Sequence, residues 1–324
     1  MRFLKKNWFI LALIVAILLG FVIPGWGIGL NPASITSTVL VSLLFLIAGL
    51  ALPSEALKTG IMNFRLHIFV QVFIFIIVPL YFVTSSFVFK NRPELLIGIY
   101  SLAILPTTVS SCIVFTQSSK GNVAGTIFNA TLANVAGIFI SPLLLSLLLK
   151  SSGRQLPMEE ILSIFVSLGY KMLLPLVIGQ ILRRWIPSFA QAQKKRLSLL
   201  SNAFIVLIVF FVFSKTANNP VFRQHLRTML LPFLYLAVSH IVLLLLAYAG
   251  ARLIGLKPDS IISVLYLAPQ KTLSLGVPLL STFFAGSPEL LGIALLPILF
   301  YHPWQLLTAG ILKSSPLMRS LQKG

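Results

Sequence analysis

The chain has 324 residues, 57% of them hydrophobic with a mean hydropathy of +0.99, and only 10% are charged, against about 25% in an ordinary soluble domain. That balance excludes a soluble domain and predicts an integral membrane protein. Its 25 Lys and Arg against six Asp and Glu form no basic cluster interleaved with aromatics on a polar scaffold, which argues against a nucleic-acid partner, and the single cysteine, Cys112, excludes an intrachain disulfide or a cysteine metal site.

Spans are predicted where about 20 predominantly apolar residues could cross a hydrocarbon core of about 30 Å. In chain order they cover residues 8–23, 36–52, 67–89, 94–118, 122–149, 160–185, 199–215, 227–254, 259–284 and 289–312. The opening MRFLKKNWFILALIVAILLGFVIPGWG has the basic-then-apolar order of a signal peptide, but no small-x-small site follows, so it is read as the first span. Residues 53–65, PSEALKTGIMNFR, have the length and mixed polarity of a segment lying along the inner surface.

The fourth and ninth spans are interrupted. Pro106 is followed by Thr107, Thr108, Val109, Ser110 and Ser111, and Pro269 by Gln270, Lys271 and Thr272. With the N-terminus inside, sixteen Lys and Arg fall in inner loops and seven in outer ones; the remaining two, Lys171 and Lys271, are within spans. Cytoplasmic loops carry the basic excess, so both termini are expected in the cytoplasm of a cell that holds the protein in its plasma (inner) membrane.

Pro93 to Gly121 and Pro258 to Gly286 are both intervals of 28 residues with a proline near the middle. The expected fold is therefore an all-α polytopic membrane protein of ten transmembrane helices, an inverted 5+5 repeat with discontinuous fourth and ninth helices. Residues 1–150 would form the first repeat and 151–324 the second. Interrupted helices at matching positions of inverted repeats point to a secondary transporter's binding site near the bilayer midplane.

A break frees backbone N–H and C=O groups that only protein or a water-lined cavity can satisfy. Lys271 at the ninth-span break would cost about 2.5–3.5 kcal/mol if it faced lipid, so it should face the interior. It is either a fixed cation that attracts an anionic substrate, a titrating group that couples proton movement, or a structural lysine capping carbonyls freed at the fourth-span break. Gln270, Thr272 and Ser274 either complete a polar cavity or satisfy freed backbone groups. Thr107, Thr108, Ser110 and Ser111 offer uncharged hydroxyls from the other side.

On the fifth span, Thr126, Ala130, Ala133 and Gly137 make a small-residue stripe, the signature of close helix packing. Asn129 and Asn134 need partners in hydrocarbon and are candidate lining residues; Gln71 reads as an interhelical hydrogen bond. Lys171 either serves a second site or snorkels to an interface. His302 and Gln305, beside Pro303, are further candidates, with a buried, hydrogen-bonded histidine at a kink as the plainer reading of His302. His240 is read as structural.

The six acids, Glu55, Glu94, Glu159, Glu160, Asp259 and Glu289, all lie at span ends or in loops. No mid-membrane carboxylate is present for a proton relay or a tight sodium site. With no Walker loop, HExxH or Ser-His-Asp set, an ATP-driven pump and an intramembrane protease lose support, and no enzyme is expected.

The segments LPTTVSSCIVFTQSSKGNVAGTIFNATLANVAGIFISPLLL, APQKTLSLGVPLLSTFFAGSPE and FYHPWQLL resemble the bile acid:sodium symporter superfamily, and more closely its SBF-like branch. The resemblance implies a panel domain, a core domain in which the fourth and ninth helices cross, and organic-anion transport by alternating access. In sodium-coupled members it also implies sodium ligands from a Ser-Asn pair, hydroxyls on the next helix, and a Glu and a Gln on the ninth. Those positions are here Cys112 and Ile113, Thr126 and Ala130, Leu267 and Lys271; only Thr126 keeps its chemistry. The branch is also associated with calcium homeostasis, which the acid-poor spans do not explain.

The first expectation is thus a secondary transporter for a small organic anion in the lipid bilayer, with the Lys271 ammonium in the place of sodium. It has no resident cofactor, and its coupling is to protons or to nothing. The alternatives are a true sodium symporter using Ser110, Ser111, Thr126 and backbone carbonyls, or a non-transporting regulator that binds a partner through basic segments 186–198 or Lys313 to Gly324.

Overall fold

The computed structural model describes residues 2–51, 63–151, 158–217 and 230–322; the segment expected along the inner surface therefore falls largely outside the described residues. In chain order the helices are α1 (Arg2–Val22), α2 (Pro24–Leu30), α3 (Ile35–Ala51), α4 (Phe64–Phe89), α5 (Pro93–Ala103), α6 (Ser110–Ser118), α7 (Val123–Ser151) and α8 (Leu162–Trp185). There follow α9 (Pro187–Ala192), α10 (Lys194–Thr216), α11 (Leu230–Leu253), α12 (Pro258–Leu267), α13 (Leu273–Phe283), α14 (Pro288–Lys313) and α15 (Pro316–Leu321). The described residues contain no strand.

Seven of these helices are long and apolar enough to cross a membrane: α3, α4, α7, α8, α10, α11 and α14. A bent pair adds an eighth candidate, because the chain turns by 101° between α1 and α2 at Pro24. Large apolar side chains such as Leu18, Ile76, Leu147, Leu245 and Ile311 are more than half exposed, the arrangement lipid rewards and water penalises. The protein is a polytopic, all-helical membrane protein.

Two compact units divide the chain. One comprises Met1–Leu52, Gln155–Met229 and Val277–Leu296; the other comprises Pro53–Arg154, Leu230–Gly276 and Pro297–Gly324. In the first, α3 and α8 cross at two glycines. A Cβ on Gly49 would lie 2.2 Å from the Leu176 carbonyl oxygen, and one on Gly179 would lie 2.2 Å from that of Leu46. Only hydrogen fits at this crossing, which is how small residues let membrane helices approach. Arg183 and Gln180 then donate to the Leu50 and Gly49 carbonyls at the end of α3.

Two long helices carry a π-helical turn, Phe73–Ile77 in α4 and Gly169–Leu173 in α8. In each, a proline follows the turn by two residues, Pro79 and Pro175. Proline lacks the N–H that would bond the carbonyl four residues back. The ladder slips instead, Val78 N–H bonding Phe73 O and Leu174 N–H bonding Gly169 O.

The second unit holds both breaks. α5 stops at Ala103 and α6 begins at Ser110; α12 stops at Leu267 and α13 begins at Leu273. Both stops come two or three residues before a proline, Pro106 or Pro269, as expected where the ring cannot continue the ladder.

Candidate functional site

The two breaks meet. Thr272 N–H donates to Pro106 O at 2.9 Å, a backbone bond between segments that are otherwise far apart in sequence. Gly276 permits the approach, because a Cβ there would lie 2.6 Å from Leu105 Cδ1. From the far side α7 closes in at Gly137, where a Cβ would be 2.9 Å from Pro106 Cγ. Ala130 and Ala133 on the same helix are fully buried, so the small-residue stripe does serve close packing.

Lys271 lies inside this crossover with no exposed surface. Its Nζ donates to Leu105 O at 2.7 Å and to Ala103 O at 2.9 Å. These are carbonyls at the C-terminal end of α5, where the helix dipole presents negative charge and a cation is favoured. Charge-assisted bonds of this kind are about twice as strong as neutral ones. No acid occurs between Asp259 and Glu289, or between Glu94 and Glu159, so neither break carries a carboxylate of its own. The groups that face Lys271 Nζ are carbonyl dipoles.

The other freed carbonyls also find partners. Ser141 on α7 donates to Ile104 O at 2.6 Å, and Asn134 donates to Thr107 O at 2.8 Å. On the ninth-span side Tyr301 donates to Pro269 O at 2.8 Å. Gln305 holds Lys271 from both ends of its peptide unit: Oε1 accepts from Lys271 N–H and Nε2 donates to Lys271 O, each at 2.8 Å. His302 Nδ1 lies 3.0 Å from that same Nε2. His240 bridges Tyr301 and Thr308, at 2.9 and 2.8 Å. The FYHPWQ segment thus ties the ninth-span break to α14.

A second cluster forms around Gln270. Its Oε1 accepts from Thr108 at 2.9 Å and from Ser111 at 3.3 Å. Cys112 Sγ lies 3.4 Å from the same oxygen and donates to Tyr266 O, the carbonyl at the end of α12. Thr107, Thr108, Gln270, Lys271 and Thr272 are all buried. Ser110 and Ser274, in the first turns of α6 and α13, are exposed. Each half-helix therefore presents a hydroxyl, close to its positive end, at a reachable surface.

Not every expected residue belongs to this network. Thr126 donates to its own helix at Asn122 O, 2.9 Å, and lies 3.3 Å from Thr116 Oγ1. Asn129 bonds His67 Nδ1 and Gly125 O, at 2.9 and 2.8 Å, and accepts from Gln71; it fastens α7 to α4. Gln71 is the interhelical bond it was expected to be. Lys171 is half-buried in the π-helical turn of α8 and lines a cavity in the other unit. Tyr301 was not singled out by residue type; its value lies in its position opposite Pro269, which spacing alone does not reveal, whereas Cys112, aligned with a sodium-ligand position of the relatives, lies in the first turn of α6.

Residues 7–317 match the model of the SBF-like CPA transporter family. Sodium/bile acid cotransporter 7 of Rattus norvegicus is 31% identical over 330 residues, covering 99% of this chain and 96% of the relative. Its counterpart in Xenopus tropicalis is 32% identical over 324 residues, covering 95% and 91%. An uncharacterized protein of Pseudomonas aeruginosa is 31% identical over 317 residues, covering 96% and 92%. With the family model spanning nearly the whole sequence and these relatives matched over more than nine-tenths of their length, the chain belongs to the SBF-like CPA transporter family, whose members are membrane transporters and not enzymes.

Proposed function

We propose that the protein is a secondary transporter that moves a small organic anion by alternating access, with the Lys271 ammonium as a tethered cation where sodium-coupled relatives bind sodium. The observation that carries this reading is the pair of bonds from Lys271 Nζ to Ala103 O and Leu105 O. Main-chain carbonyls are hard oxygen ligands of the kind that hold alkali cations at helix breaks. A covalently attached ammonium in such a place makes a dissociable one unnecessary. Ser110 and Ser274, exposed at the first turns of two half-helices, are the candidate contacts for the anion, helped by the positive helix ends.

Seven long apolar helices, the bent N-terminal pair and the two interrupted pairs supply ten candidate spans. This is the number that an inverted 5+5 repeat, 1–150 and 151–324, requires. The basic excess in alternate loops supports cytoplasmic termini in a plasma (inner) membrane.

The test replaces Lys271 by Ala and by Arg and measures uptake of a labelled bile acid and of labelled succinate into proteoliposomes across pH. Loss of uptake in the Ala variant is the expected result. Wild-type uptake by that variant with an unchanged pH profile removes the lysine from the mechanism.

A second reading is a sodium-coupled symporter, favoured by the names of the animal relatives, sodium/bile acid cotransporter 7. It would draw on Ser110, Ser111 and Thr126. A rise in melting temperature with sodium, absent with potassium, supports that reading against the first.

A further inference from the structure

We infer that the unit that includes α3, α8, α10 and the start of α14 contains a binding site for a small phosphate- or sulfate-type oxyanion, organised by Lys171 and Lys215. A cavity of about 210 Å³ lies there, lined by both lysines together with Asn31, Ser34, Ser37 and Ser281. All of its lining residues belong to one of the two compact units, and none belongs to the crossover.

The charge is of one sign. Two lysines line the cavity and no Asp or Glu does; Glu289, on the first turn of α14, is not among the lining residues although its neighbour Pro288 is. The cavity also takes in the first turns of α3 and α14, through Ser37 and Pro288. Both helices therefore turn their positive ends toward it.

The polar groups are held in place. Asn31 Oδ1 accepts from Ser37 N–H at 3.0 Å, and Lys215 Nζ donates to Ser34 Oγ at 2.6 Å, which leaves two ammonium protons for a ligand. Ala33 and Ser34 adopt positive φ, 47° and 64°, a conformation uncommon for non-glycine residues. Ser281 Oγ is buried and has no hydrogen-bond partner among the described residues, and buried hydroxyls are normally paired. An oxyanion supplies acceptors to Lys171, to the remaining protons of Lys215 and to Ser281 Oγ.

This reading explains two features that the crossover does not. A lysine within a span is costly unless it faces protein or an aqueous cavity, and Lys171 borders one. It sits in a π-helical turn, a device frequent at functional sites. The cavity also lies below the roughly 300 Å³ at which pockets begin to hold drug-sized ligands, a size that suits a small oxyanion.

The test measures the melting temperature of the purified full-length protein in phospholipid-free micelles, titrated with inorganic phosphate and with sulfate against chloride at constant ionic strength. A saturable rise is expected, with Lys171→Met weakening the apparent affinity at least about tenfold and Lys171→Arg retaining it. A parallel titration in nanodiscs with and without phosphatidylglycerol separates the sources. A rise with phosphate in micelles assigns a free anion, and a Lys171-dependent rise seen only with the lipid assigns a headgroup; in either case the site stands. No saturable rise in either arm, or equal affinity in wild type and in a Lys171→Met protein whose ligand-free melting is unchanged, overturns the proposal.

Discussion

Replacing Gln305 by Leu isolates the clamp on the ninth-span break. The side chain is fully buried, and leucine fills a similar volume without polar atoms. The change strands Lys271 N–H and Lys271 O, each of which now holds a 2.8 Å bond. Leaving a buried donor or acceptor unpaired costs about 1–3 kcal/mol, so the pair sums to roughly 2–6 kcal/mol. An ordinary side-chain bond between membrane helices averages only about 0.6 kcal/mol, because the unfolded chain in the membrane also finds partners. The two magnitudes are far enough apart to decide. Equilibrium unfolding in mixed micelles, with Thr84→Val as an exposed control, measures the difference. A loss near 0.6 kcal/mol would refute the claim that Gln305 supports the freed peptide.

Three further outcomes follow from the same geometry. Gly137→Ala presses a methyl against the Pro106 ring, which cannot rotate away, and should cost about 1–3 kcal/mol, whereas Gly276→Ala meets the movable end of Leu105 and should cost less; thermal melts of the pair give the order. Asn134→Leu leaves Thr107 O without its bond and should cost about 1–3 kcal/mol, while Gln71→Leu should fall below about 1 kcal/mol, since it also removes a buried oxygen, Oε1, that has no partner. Gly179→Ala drives a methyl into the Leu46 carbonyl and should abolish the monodisperse peak in size-exclusion chromatography.

Much of the crossover was legible in residue types. Pro106 and Pro269, each followed by a polar run in an apolar stretch, announced two breaks because proline cannot continue a ladder and freed backbone groups need partners. The plain expectation that Lys271 caps carbonyls at the fourth-span break describes its bonds to Ala103 and Leu105. What escaped was register. Thr126 and Asn134 both carry short polar side chains on α7 and both bond a carbonyl four residues back, yet Thr126 reaches Thr116 on α6 and Asn134 reaches Thr107 O at the fourth-span break. Rotation about the helix axis decides between them, and a stripe of small residues fixes that rotation only approximately. The 101° bend at Pro24 and the cavity shared by Lys171 and Lys215 depend on how helices distant in sequence close together, which hydropathy does not encode.

The measurement that bears most directly on the central claim is the cation dependence of wild-type uptake. Proteoliposomes are loaded identically and given a labelled organic anion under an inward gradient of sodium, of potassium or of N-methylglucamine. With the Lys271 ammonium already seated on the carbonyls of the fourth-span break, the initial rates should be equal in all three. A rate that rises with the sodium gradient and collapses in potassium would contradict the account.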